Sequence, residues 1–285
     1  MKKSTDVLAG IVLYNPDIDR LNKVVNSVLG QVKELLLVDN GSKNKADIQN
    51  LCHERDNVRL IRNESNDGIA KALNQICQYG KDNEYFWALT LDHDTVCPTN
   101  LVAELLAASD KQDIGIVCPA VHYEGVNIDT KTKYEVGEYV YACMTSGSLT
   151  NLLAWEKVGG FNEGYFIDFV DNEFCMKLKL NGYKVFRTFR TTMNHQLGET
   201  RKMNIFGRRR TGTVHSSIRC YYMMRNNVMF IIKYSKNLRV PKECAKVIYI
   251  AYRQLLFSNH RMQDLRFISM GIFDGIKRKL GRYEA

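Results

Sequence analysis

Leu91-Asp92-His93-Asp94 sets two carboxylates either side of one residue, directly after the apolar run Phe86-Trp87-Ala88-Leu89-Thr90-Leu91. The run reads as a buried strand, so the acids fall at the lip of a sheet. Two like charges in a half-buried place repel and lose hydration. A divalent cation removes that cost. Hard cations take carboxylate oxygen, and Mg²⁺ or Mn²⁺ held by one or two acids shares its other positions with phosphate. On its own an Asp-x-Asp is also compatible with a solvated turn, so the rest of the chain must decide.

A second acid stands in the same kind of place. Leu36-Leu37-Val38-Asp39-Asn40-Gly41-Ser42 ends an apolar run on a carboxylate that can accept the N3–H of uracil or thymine. Asp-Asn-Gly is equally a favoured turn on conformational grounds. Asn66-Asp67-Gly68 opens a helix with small residues on one face. Such a start lets a ligand approach closely and favours a phosphate. No Gly-x-Gly-x-x-Gly and no Walker-type loop occurs, so dinucleotide-binding and ATPase functions lack their signatures.

These residues need a scaffold, and the first 120 residues supply it. Val7 to Tyr14 is a continuous apolar run, as in a strand buried on both faces. After Asn15-Pro16-Asp17, Ile18, Leu21, Val24, Val25 and Val28 recur at helical spacing. Strands at 34–38, 58–61, 86–91 and 114–118 alternate with helices near 45–55, after Gly68 and near 99–109. That alternation predicts βαβ units and a mostly parallel sheet, whose ligands sit beyond the carboxyl ends of the strands. Residues 121–141 read as extended structure, compatible with antiparallel pairing. Thr150 or Asn151 caps a short helix that stops at Gly159-Gly160, and a second helix spans Val170 to Leu180. The least ordered part is expected at Gln196 to Arg210, and beyond Thr213 the chain reads as basic helices.

At 285 residues the chain buries a large core, and 45% hydrophobic with 25% charged residues is ordinary for a globular protein. No run of apolar residues is long enough to span a membrane. Met1-Lys2-Lys3-Ser4-Thr5-Asp6 has no signal-peptide anatomy, so a cytosolic location is expected. The eight cysteines form no Cys-x-x-Cys and no close Cys/His cluster, which argues against a zinc site or a disulfide framework. Charge is uneven: residues 201–285 carry a net +15, and residues 1–200 a net −6. A mildly acidic body and a strongly basic tail suggest separate jobs, the tail meeting something anionic.

Val38-Asp39-Asn40-Gly41-Ser42, then Asn66-x-Gly68 with Ala72 and Asn74, then Asp92-x-Asp94 resemble the ordered signature of family 2 glycosyltransferases with a GT-A fold. Ser146-Gly147-Ser148-Leu149 and Glu156 to Glu163 resemble the family's acceptor segment. Phe166 to Phe174 resembles its catalytic region. His195 to Glu199 and Tyr221 to Asn226 are similar to bacterial rhamnosyltransferases of the family. The resemblance implies a GT-A catalytic domain over 1–200, with a mostly parallel central sheet flanked by helices, and a basic helical extension over 201–285.

It further implies that Asp39 reads the pyrimidine, Asn66 and Gly68 line the donor site, Asp92 faces the ribose, and Asp94 ligates Mg²⁺ or Mn²⁺ with Asp92 beside it. His195 is a further candidate ligand. Lys202, with Arg201, would clamp the diphosphate. Asp171 aligns with the general base. Val170 stands where the family often has Glu, so Asp168 and Glu173 are rivals. On a helix Glu173 points about 200° from Asp171, so only one of those two faces a cleft.

The implied reaction is inverting transfer from a dTDP- or UDP-sugar, with dTDP-L-rhamnose favoured over galactose, glucose or N-acetylhexosamine donors. The implied acceptor is a polyprenyl-diphosphate-linked saccharide of surface-polysaccharide (O-antigen, lipopolysaccharide) assembly. The basic tail would lie on the cytoplasmic face of the inner membrane or make a homodimer contact. A sugar nucleotidyltransferase would need a Gly-rich, Arg-bearing opening that is absent here. A nucleic-acid-binding protein is the rival of another class, suggested by the basic tail. No nucleic-acid module appears, however, and acidic strand ends repel phosphate without a metal.

Overall fold

The computed structural model describes residues 7–123, 136–195, 200–205 and 208–284. They belong to two compact units, Met1–Glu163 with Val170–His195, and Gly164–Phe169 with Gln196–Ala285. The units part at 195/196, five residues ahead of the expected 200/201, and differ from that division in one further respect. A six-residue segment just ahead of Asp171 goes with the C-terminal unit, because its carbonyls are bonded there.

The first unit runs β1 (Val7–Leu13), α1 (Ile18–Leu29), β2 (Glu34–Asp39), α2 (Lys45–His53), β3 (Val58–Arg62), α3 (Ile69–Asp82), β4 (Trp87–Asp92), α4 (Leu101–Ala108), β5 (Ile114–Tyr123), β6 (Gly137–Val140), β7 (Ser148–Asn151), α5 (Leu152–Lys157), α6 (Val170–Leu180) and β8 (Lys184–His195). One eight-stranded sheet has the order β3-β2-β1-β4-β7-β5-β8-β6. β3, β2, β1 and β4 are parallel, as the alternation of strands and helices predicts. β7 lies antiparallel between β4 and β5.

Alternation within β1 shows why the run is apolar throughout. Val7, Ala9, Ile11 and Leu13 share a core with Leu21, Val24, Val25 and Val28 of α1, while Leu8 and Val12 are buried on the opposite face. Asp17 caps α1, its Oδ1 accepting from the Arg20 amide at 2.8 Å. Asn151 caps α5 by accepting from the amides of Leu153 and Ala154. The twelve-residue β8 was not assigned from the sequence. It pairs parallel with β5 across register shifts, and interleaved Lys184, Arg187 and Arg190 hide its apolar alternation.

The second unit holds α7 (Ser217–Lys233), α8 (Val240–Phe257) and α9 (Arg261–Ile276), with a two-stranded ribbon of β9 (Thr200–Ile205) and β10 (Arg208–Thr213). Of the stretch Gln196 to Arg210, expected to be least ordered, residues 200–205 and 208–210 pair in this antiparallel ladder, and 196–199 and 206–207 lie outside the described residues. α9 lies hard against α7. A Cβ at Gly271 would sit 2.4 Å from the Tyr221 carbonyl oxygen, and one at Gly275 would sit 2.8 Å from that of Arg225. Only hydrogen at these positions permits the approach. Among the described residues, no helix is long and apolar enough to cross a membrane.

Candidate functional site

β2 and β4 flank β1, and both end in acids. Leu13 of β1 is level with Asp39, and Val12 is level with Asp92. With parallel neighbours about 4.8 Å apart, the two acids stand about 10 Å apart across the end of β1. Consecutive β1 residues face opposite sides of the sheet, so the two acids leave on alternate faces. A ligand that meets both must lie across the strand ends, where strand order reverses in such sheets.

Asp39 is fully buried. Its Oδ1 accepts the Ser42 amide at 2.9 Å, while Oδ2 lies 3.5 Å from the Arg62 Nε and has no hydrogen-bond donor among the described residues. The turn after it is locked on both sides. Ser42 Oγ accepts the Asn15 amide, and Asn15 Oδ1 accepts the Lys43 amide, each at 2.8 Å. Gly41 takes φ +81°, and a Cβ there would lie 2.6 Å from the Ser65 backbone, so no side chain fits. Asn40 ties the turn to the start of α3. Its Nδ2 donates to Asn66 Oδ1 and the Gly68 carbonyl, and its Oδ1 accepts from Asn63. Asn66 Oδ1 also accepts the Gly68 amide at 3.0 Å. Asn66 and Gly68 thus build the turn that closes on Asp39. Tyr14, 46% exposed, presents an aromatic ring just past the end of β1.

On the other side, the Asp92 amide donates to Ser146 Oγ at 3.0 Å, and Thr90 bonds Thr145 and Gly147. Asp92, His93 and Asp94 are half-buried. Arg20 of α1 donates from Nε and Nη2 to the Asp94 carbonyl at 3.0 and 2.8 Å, fixing the turn, while Thr95 donates to Asp94 Oδ1 at 3.2 Å. Among the described residues, no three His, Cys, Asp or Glu side chains gather to hold a metal ion. Asp92 and Asp94 therefore fit a cation such as Mg²⁺ or Mn²⁺ only as a partial set, hard oxygen donors that leave positions for other oxygens.

Residues 143–148 link this edge to α6. Ser148 Oγ donates to the Met144 carbonyl at 2.6 Å and lies 3.7 Å from Cys143 Sγ. The hydrogen bond to Cys143, burial and the Asp171 carboxylate all raise the Cys175 thiol well above its ordinary range. Asp171 thus stands near Cys175, in the half-buried first turn of α6. Glu173, in the same turn, is completely buried, in keeping with the opposed directions that helical geometry requires. Asn74 holds the intervening loop. Its Oδ1 accepts from the Phe161 amide and Trp155 Nε1, and its Nδ2 donates to the Phe161 carbonyl and Glu163.

Asp168 belongs to the second unit, where Arg219 Nε and Nη2 grip its carboxylate at 3.1–3.3 Å. Phe166, Asp168 and Phe169 all take positive φ, between 58° and 64°. The buried Asn226 donates to the Tyr165, Ile167 and Asp168 carbonyls, and the buried Arg225 to those of Gly164, Tyr165 and Gly281. His195 ends β8 and Lys202 lies in β9 opposite Thr211; their side chains lie outside the described ones.

Arg20 and the Tyr14 ring escaped the sequence reading, whereas Ser146 and the Arg225–Asn226 pair lie in segments it picked out by resemblance, without the backbone contacts seen here. Arg20 alone carried a signal, a cation one turn into the helix that follows the first strand.

The family description "Glycosyl transferase family 2" matches residues 9–176, spanning β1 through most of α6. The chain belongs to this family. Family 2 enzymes are glycosyltransferases, and this chain is one. It is 25% identical over 245 residues, 81% of each chain, to the dTDP-rhamnosyl transferase RfbF of Shigella flexneri. Among solved structures it is similar to GalNAc-T7 with UDP, GalNAc and Mn²⁺ (17% identity, TM-score 0.59, 79% of this chain). It spans only 47% of GalNAc-T7's length. It is also similar to the mannosyltransferase PcManGT of Pyrobaculum calidifontis with GDP-Man and Mn²⁺ (12% identity, TM-score 0.61, 97% of this chain and 77% of that one). These are GT-A glycosyltransferases, and the fold of this family 2 member is GT-A. Both neighbours are in complex with a nucleotide ligand and Mn²⁺.

Proposed function

We propose that the protein is an inverting glycosyltransferase that moves rhamnose from dTDP-L-rhamnose onto a hydroxyl of a polyprenyl-diphosphate-linked saccharide. It would work peripherally at the cytoplasmic face of the membrane, in surface-polysaccharide assembly. The observation that carries the reading is the pair of acid-tipped strands on either side of β1, together with the likeness to a dTDP-rhamnosyl transferase.

In this reading the Asp39 Oδ2, buried without a donor, accepts the thymine N3–H, and the exposed Tyr14 ring covers the base. Asn66 and Gly68 shape the wall of that pocket. Asp92 faces the ribose. Asp94, with Asp92 beside it, would hold Mg²⁺ or Mn²⁺, which supplies neutralisation of the charge that builds on the departing diphosphate. Lys202 would clamp the diphosphate, and His195 would be a further ligand of the cation. Asp171 takes the proton from the acceptor hydroxyl as that oxygen attacks the anomeric carbon from the side opposite the diphosphate. One displacement inverts the centre, and such proton transfer contributes about 10²–10⁴-fold. Asp168 is occupied by Arg219 and Glu173 is buried, which favours Asp171 over both rivals.

The deciding experiment is a thermal-shift and donor-hydrolysis screen of dTDP-rhamnose against UDP-galactose, UDP-glucose and UDP-N-acetylhexosamines, each with and without Mn²⁺ or Mg²⁺. Stabilisation and slow hydrolysis with dTDP-rhamnose and metal are expected. A response to UDP-sugars alone moves the donor assignment, and silence toward every pyrimidine nucleotide ends it.

A further inference from the structure

We infer that α8 and α9 each present a built lipid-docking stripe, an exposed apolar arc bordered on one side by cations, and that its occupant is an anionic bilayer surface. This deepens the peripheral-membrane part of the function proposed above and rests on that part alone.

The stripe follows from helical spacing at about 100° per residue. On α8, Ile248, Tyr252 and Tyr249 fall within an arc of about 100° and are all exposed, Ile248 at 69%. Lys242 and Arg253 follow within about the next 40°. Val247 and Gln254 are buried on the far side. On α9, Leu265, Ile276, Met262 and Phe273 are exposed within about 80°, Met262 at 81%, and Arg266 and Lys277 follow within about the next 40°. Asp264, Ile268, Gly271 and Gly275 form the buried side. The cations are placed against the rings. Arg253 lies 5.7 Å from the Tyr249 centroid, and Lys277 lies 4.1 Å from that of Phe273.

Large apolar side chains left in water, with Lys and Arg along the edge, match the design of a helix lying in a headgroup layer. A protein partner fits less well, because the cores of protein interfaces are depleted in Lys. A second copy fits worse still, because residues 201–285 carry a net +15 and two such units repel. The acids close to these stripes are already engaged: Glu243 holds Lys246, and Asp274 holds Tyr221 and Lys279.

Flotation of the full chain tests this with vesicles of phosphatidylcholine alone and of equal parts phosphatidylglycerol and phosphatidylcholine. The chain should float with the anionic vesicles and weaken as salt rises. Ile248→Glu with Tyr252→Glu, and separately Phe273→Glu with Ile276→Glu, should each lower partitioning at least about tenfold. Lys277→Gln should lower it about fivefold. Melting curves check that each variant is folded, and Tyr141→Glu, an exposed aromatic of the other unit, should float like the parent. Parental flotation by both folded double variants overturns the stripe while leaving membrane association standing. No flotation of the parent overturns both. A dimer in sedimentation that the double variants abolish, without parental flotation, assigns the faces to a second copy and overturns the proposal. Donor hydrolysis in vesicle-free buffer should be unchanged in every variant, so failure of the transfer chemistry is read separately.

Discussion

At the residue scale, the carboxylates matter through what fixes them. Arg20 places two charged hydrogen bonds on one carbonyl, that of Asp94. Hydrogen bonds from charged groups are worth about 1.5–3 kcal/mol, so Arg20→Ala should free the Asp92–Asp94 turn without unfolding the core. Mn²⁺ titrations in the presence of donor should show metal affinity falling about 10-fold or more; an unchanged affinity would detach Arg20 from the site. Asp171→Asn keeps shape and removes basicity. Nucleotide binding should persist while transfer falls about 10²–10⁴-fold. Glu173→Gln separates the rivals, since a buried group acts on stability. A Glu173→Gln enzyme that melts differently but turns over normally supports Asp171, and one as dead as Asp171→Asn reassigns the base.

At the element scale, the C-terminal helices act as clamps. Residues 166, 168 and 169 hold left-handed backbone, at a cost of order 1–3 kcal/mol each, and the Asn226 amide meets three carbonyls of that segment. Asn226→Leu should lower stability by about 1–3 kcal/mol in urea titration and speed amide exchange at 165–169; an unchanged exchange pattern would leave the strained segment held by something else. A second knot joins all three helices. Asp264 Oδ1 accepts from Ser217 and Oδ2 from Gln254, whose own oxygen takes the His215 amide. Burial would raise Asp264, but hydrogen bonds from Ser217, Ser258 and Gln254 outweigh it and hold the group below its ordinary 3.8. Burial, reinforced by Arg219, lowers His215 below 6.5. Both shifts are downward, so the unfolded chain binds more protons. The unit therefore loses stability first as pH falls below about 6.5 and again as it falls through about 3.8. Burial pushes Cys220 up to about 12, so a further loss comes as pH rises from 9 toward 12. Chemical denaturation across pH should show these three limbs. Little of this was legible beforehand. Strand-terminal Asp39 and Asp92 followed from apolar runs that stop at acids, and the end of α6 at Leu180 from the Asn181-Gly182 stop. The clamps rest on bonds between side chains and distant backbone, which leave no periodicity, and β8 disguises its alternation with cations.

At the scale of the whole molecule, charge and ligand are linked. Residues 1–200 are net negative, and the rim of their sheet offers two acids where a diphosphate is proposed to sit. A nucleotide diphosphate alone is repelled there. A cation alone finds only two side-chain donors, because no third acidic or His/Cys ligand joins them among the described residues. Each therefore completes the other, and their effects on stability should be far from additive. A ligand that binds only the folded state at about a hundredfold excess over its Kd adds about 2.7 kcal/mol, which for a chain of this size raises Tm by about 5–10 °C. dTDP with Mn²⁺ should give that shift. dTDP in EDTA and Mn²⁺ without nucleotide should each give less than about 2 °C. Asp94→Asn should erase the joint shift while leaving the unliganded Tm near that of the parent, since Asp94 is half-exposed and carries no core packing. A full shift with dTDP in EDTA would mean that side chains such as Lys202 neutralise the diphosphate unaided, and Asp92 and Asp94 would lose their assignment as metal ligands.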